Sequence, residues 1–102
     1  MSSPSKTRTS FYRRLYVAHL IEQGIDTVPS LMAATGMPRR TAQDTLTALE
    51  ELDICCRFIP ESGQRHNVGH YTVENWGPIA PEWVSANAEH LRKTLGYPSV
   101  RD

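Results

Sequence analysis

With 102 residues, 39% hydrophobic and 22% charged, the chain holds enough apolar material for one modest core and too much for a disordered polymer. Eleven Lys and Arg balance eleven Asp and Glu, and a formal net charge of zero excludes a binder that relies on bulk cationic attraction alone. No run approaches the roughly 18 apolar residues of a membrane-spanning helix, and the polar N-terminus is unlike a secretory signal, so a cytoplasmic location is expected.

Residues 1–9 are Ser, Thr, Pro and basic residues and read as a flexible basic arm. Ser10 suits the N-cap of a first helix from about Phe11 to Gln23, closed by Gly24. On a helical projection Phe11, Leu15, Ala18 and Ile21 form one stripe and Tyr12, Tyr16 and Leu20 a second, so this helix is predicted to be covered from two sides. Thr27 caps a second helix, where Pro29 does no harm in the first turn and Leu31 and Met32 face inward. Gly36 supplies a left-handed turn residue and Met37 plugs the gap that follows. A third helix, about 38–52, opens at Pro38 and buries Ala42, Leu46, Leu49 and Leu52 at spacings of four, three and three. A short helix, a tight Gly turn and a longer helix make a helix-turn-helix, whose second helix can lie in the DNA major groove with its N-terminal residues toward base edges.

From Ile54 the period becomes two, with Cys56 and Phe58 inward and Arg57 and Ile59 outward, until Pro60. ESGQRHNVG is a turn-rich loop, and Tyr71 and Val73 alternate with His70, Thr72 and Glu74 in a second strand. WGPIAPEW is a stiff connector to a last helix from near Pro81, with a seam of Val84, Ala88, Leu91 and Leu95 that Gly96 and Pro98 end. The expected fold class is mainly α with a small β-hairpin: a winged helix-turn-helix over 10–76, with an additional C-terminal helix in 77–102. That helix either covers the first one within the chain or joins it in a homodimer through the first and last helices. A two-fold dimer would set two reading helices about one DNA turn apart.

The segment LMAATGMPRRTAQDTLTALEELDI resembles the MarR- and GntR-type pattern, in which a small-residue helix and a Gly turn precede a reading helix ending in a Leu-Glu-Glu-Leu-like run. Together with FYRRLYVAHLIEQG and NWGPIAPEW, the chain resembles a family of small bacterial winged helix-turn-helix proteins of unknown function. The resemblance implies a prokaryotic transcriptional regulator with double-stranded DNA as its partner. It places Arg39, Arg40, Gln43 and Thr47 on the exposed face of the reading helix. Arg can donate two bonds to guanine O6 and N7, and Gln can pair with adenine N6 and N7. Thr41 or Ser30 would hold phosphate, and Gln64, Arg65 and His66 would form the wing that touches the backbone or minor groove. Asp44 departs from the pattern, standing where many such helices carry Arg or Lys. A carboxylate there repels phosphate unless it accepts a bond from cytosine N4 or pairs with Arg40.

Other chemistries find less support. Cys55, Cys56, His66 and His70 invite a metal- or thiol-sensor reading, but zinc wants cysteines a few residues apart, and neighbours on a strand point to opposite faces. Cys56 reads more simply as a small buried hydrophobe, and neither metal nor cofactor is expected. No Gly-rich phosphate loop, paired-carboxylate motif or nucleophile elbow is present, and His19, His66, His70 and His90 are scattered, so no enzyme is expected. The alternative from another class is a winged helix for protein–protein contact, favoured by zero net charge, Asp44, and the acids Glu50, Glu51 and Asp53 at the end of the reading helix.

Overall fold

Ser5, rather than Ser10, starts the first helix. In the computed structural model, which describes residues 4–61 and 68–100, α1 runs Lys6–Glu22. Ser5 is extended, its Oγ accepts the N–H of Arg8 at 3.1 Å, and the Thr9 hydroxyl donates to the Ser5 carbonyl at 2.9 Å. Of the expected flexible arm 1–9, Lys6 to Thr9 are therefore helical. Lys and Arg are good helix formers, and the cap lies one turn further upstream than the hydrophobic pattern indicates.

Helix α2 (Val28–Thr35) begins with a reciprocal cap: Thr27 Oγ1 accepts the N–H of Ser30 at 3.1 Å, and Ser30 Oγ accepts the N–H of Thr27 at 3.0 Å. Gly36 ends it in the left-handed region at φ 81°. The buried Thr35 hydroxyl then ties the end of α2 to the turn, donating to the Leu31 carbonyl at 2.7 Å and accepting from the N–H of Met37 at 3.2 Å. Helix α3 covers Arg39–Ala48, with Pro38 as its extended N-cap rather than its first helical residue. The expected single helix over 38–52 tightens into a 3-10 turn at Leu49–Leu52, closed by Asp53 at φ 60°. Bonds of the shorter kind satisfy carbonyls at a helix end that has no glycine, and they leave Leu49 and Ile54 both sealed in the core.

Strands β1 (Cys55–Pro60) and β2 (Gly69–Asn75) pair antiparallel with Phe58 opposite Tyr71. The register jumps from Cys55–Asn75 to Cys56–Val73, so Glu74 is the extra residue of a bulge. The hairpin is also tied to the loop before α2, where the N–H of Tyr71 donates to the Asp26 carbonyl at 2.7 Å. After β2, Gly77 passes so close to the Asp53 carbonyl that a Cβ would collide with it. The expected last helix is two, α4 (Pro81–Ala86) and α5 (Ala88–Leu95), interrupted at Asn87. The Asn87 side-chain amide donates to the Trp83 carbonyl at 2.8 Å, the competition with backbone bonding that makes Asn a poor interior helix residue.

Helix α1 lies at the centre, touching α3, α4, α5 and β2. Leu15, Val17, Leu31, Leu49, Ile54, Val84 and Leu91 are its best-sealed neighbours and members. The second apolar stripe of α1 meets the C-terminal helices of the same chain: Tyr12 lies 5.7 Å from His90 and Tyr16 5.9 Å from Tyr97, centre to centre. Trp83 on α4 stays exposed.

Replacing Gly36 with Ala meets open space but strains the backbone, and is expected to cost about 1–2 kcal/mol in urea unfolding. Burial lowers the His19 imidazole below its ordinary pKa of 6.5, with Glu22 opposing. The unfolded chain therefore binds the proton more readily, so stability falls as pH drops below about 6.5. Urea titrations across pH 7 to 5 should show that slope reduced in His19→Gln.

Candidate nucleic-acid interface

Extended backbone at Pro38 turns the chain sharply into α3, so that the first helical turn carries two cations, Arg39 and Arg40, on an exposed N-terminus. Residues four apart share a line on a helix, and Arg39, Gln43 and Thr47, all exposed, form one such line. Arg40 and Asp44 form the next. Their charged atoms stand 3.9 Å apart, with the side chains 91% and 75% exposed, so the pair contributes at most about 1 kcal/mol and leaves Arg40 free to exchange partners.

Thr41 turns the other way. Half-buried on the α1 side of α3, it lines a shallow groove of about 220 Å³ with Arg13 and Arg14 of α1. Arg14 reaches Glu51 at 3.9 Å, and the Nε of Arg13 donates to the Tyr97 hydroxyl at 3.2 Å. The Ser30 hydroxyl, expected as a phosphate ligand, is engaged with Thr27 in the helix cap. The expected wing residues Gln64, Arg65 and His66 lie outside the described residues. The structure thus brings together Arg39, Gln43 and Thr47, sets Arg40 beside its acid, and sends Thr41 to a groove on the α1 side that Arg13, Arg14 and that same acid, Asp44, also line.

The line of Arg39, Gln43 and Thr47 runs between two clefts, one toward the loop end of the hairpin and one at its foot. One, of about 640 Å³, holds Arg39, Gln43, Phe58, Val68 and Tyr71, with no acid among the described residues that line it. The other, of about 540 Å³, holds Gln43, Thr47, Glu50, Asp53 and Cys55. Helix α3 is therefore basic at its start, and the 3-10 turn that continues it is acidic. Phe58 departs from the sequence reading: expected inward beside Cys56, it projects past the core edge and is 36% exposed. The one signal for this was Gly69, since a glycine within a strand marks the close approach of another group. A Cβ at Gly69 would meet the Phe58 ring at 2.9 Å.

Of the two cysteines, Cys56 is the half-buried one and Cys55 the exposed one. Burial, with Cys55 adding to it, pushes the Cys56 thiol from its ordinary 9.0 up to about 11, so it is protonated at neutral pH, the wrong state for ligation or redox exchange. Among the described residues no three His, Cys, Asp or Glu side chains converge as a metal site; His66 lies outside them. Nor, among those residues, is any helix long and apolar enough to cross a membrane.

The winged helix-turn helix family model matches residues 6–95, from the start of α1 to the end of α5. Among solved structures, a DUF2131 family protein from Shewanella amazonensis SB2B is 37% identical, with a TM-score of 0.84, covering 92% of this chain and 96% of that one. No curated protein matches the chain. Limited alkylation with iodoacetamide at pH 7.5, followed by peptide mass spectrometry, should label exposed Cys55 more than about tenfold faster than Cys56.

Proposed function

Because the chain belongs to the winged helix-turn-helix family, a DNA-binding fold, we propose that it is a cytoplasmic prokaryotic regulator of transcription that recognises a specific double-stranded sequence. It acts by binding and positioning, without catalysis, metal or cofactor. The observation that carries this reading is the exposed line of Arg39, Gln43 and Thr47 starting at the positive end of the α3 dipole. Such a line suits hydrogen bonding to base edges, while Arg40 serves a further base or phosphate once released from Asp44. Thr41, Arg13 and Arg14 offer a second foothold for phosphate on the α1 side, in a groove that Asp44 also lines, so this foothold depends instead on Asp44 staying paired with Arg40. Gln64, Arg65 and His66 keep a place in the proposal from their position between β1 and β2.

Two copies on a palindromic site complete the proposal. Its support is Trp83, 47% exposed on α4 after the chain's own core is complete. A second reading, docking of a basic protein segment, draws on Glu50 and Asp53 in the acidic cleft. Selection from a random duplex library separates the two: enrichment of a palindrome supports a dimeric DNA reader, and an unenriched library sinks the DNA reading.

On the selected duplex, Arg40→Ala should weaken binding by about 1–3 kcal/mol and relax the preference at one base pair. Asp44→Asn removes a carboxylate from the same line and should tighten binding, with a salt slope steeper by about one phosphate contact. Anisotropy titrations at several salt concentrations check both.

A further inference from the structure

Among the described residues only four large hydrophobic side chains are markedly exposed, and two of them, Phe58 and Val68, share the cleft with Arg39 and Gln43. The place of Phe58 is built into the hairpin. Its ring stands edge-on to Tyr71 at 5.1 Å and lies over Gly69, where a Cβ would collide with the Ile59 carbonyl and Pro60 Cα as well as with the ring. The hairpin is itself fixed to the start of α2 by the bond from Tyr71 to Asp26. An apolar wall is thus held opposite a cation and an amide, in a cleft whose lining carries no carboxylate among the described residues.

We propose that this cleft seats one sugar–phosphate strand of DNA, with Phe58 and Val68 packed on the deoxyribose C2′ methylene, so that the wall selects deoxyribose over ribose. The inference rests on the DNA-binding reading and adds a specificity determinant to it. With α3 in the major groove and the hairpin over the adjoining minor groove, the strand that divides the two grooves has to pass between them. That strand offers an anion, which meets no carboxylate among the described residues that line the cleft, and a sugar whose 2′ carbon bears only hydrogens in DNA. A ribose 2′-hydroxyl pressed against Phe58 and Val68 loses its water and gains no partner there. Thr27, which also lines the cleft, already uses its hydroxyl in the cap of α2.

The test uses the full chain and the duplex recovered from the random library. In a series of duplexes, one deoxyribonucleotide at a time is replaced by its ribonucleotide, and affinity is read by anisotropy. At one or two adjacent positions the wild-type protein should lose about fivefold or more in affinity. Phe58→Ala should bind the all-DNA duplex more weakly and shrink the ribose penalty below about twofold. Phe58→Leu should keep the penalty, and Val68→Thr, which offers a hydroxyl of similar size, should reduce it. Changes of sugar pucker act on every variant alike and cancel in the comparison. If Phe58→Ala fails to fold, Phe58→Leu and Val68→Thr carry the test. The proposal is overturned if no position shows a penalty in the wild type, or if Val68→Thr and Phe58→Ala both keep the wild-type penalty. DNA affinity unaffected by Phe58→Ala also overturns it and hands the wall to a protein partner. An unenriched library is a different failure, that of the DNA-binding reading itself.

Discussion

The second half of helix α1 is enclosed: Leu15, Tyr16, Val17, Ala18, Leu20 and Ile21 are all buried, on every side of the helix rather than along one stripe. A helix in that state has no solvent face to slide along, so whatever packs on it is fixed relative to everything else that does. Helix α3 lies on one side, α4 and α5 on another, and β2 on a third. The reading line therefore inherits its position from α1. The C-terminal helices belong to that enclosure through Val84 and Leu91, both without measurable exposure, and the family match spans them with the rest.

Local chemistry was most legible where one residue type can do one job. Gly36 at a left-handed turn, Thr27 as a cap and the buried Leu46 and Leu49 each admit a single physical role, and the structure gives them that role. Legibility fell where two residues could do the same job. Ser5 and Ser10 are both competent caps, and the choice is made by whether Lys6 to Thr9 can be helical, which hydrophobic periodicity does not report. Asn87 lies within a seam that continues across it, so the pattern of Val84 and Leu91 hides the break that its side chain makes. The 3-10 turn at Leu49–Leu52 keeps the same buried leucine as an α-helix would, and is equally silent in the pattern.

The candidate site was legible as a set and not as an arrangement. Sequence spacing puts Arg39, Gln43 and Thr47 on one line, but it could not show that Thr41 faces α1 or that Ser30 spends its hydroxyl in a cap. Alternation assigned Phe58 to the inside because a strand has two faces. It says nothing of where along the strand the core stops, and Phe58 lies beyond that limit. Zero net charge likewise conceals a polarity, with the first turn of α3 basic and the turn after it acidic.

The backbone bond from Tyr71 to the Asp26 carbonyl is made by main-chain atoms alone. It joins the loop-proximal half of β2 to the entry of the helix-turn-helix without using any side chain that faces outward. The span between reading helix and wing is thus set independently of the residues displayed on either. Such a chassis allows its outward residues to be exchanged wholesale, as interchangeable reading heads, while the gauge between helix and wing stays constant.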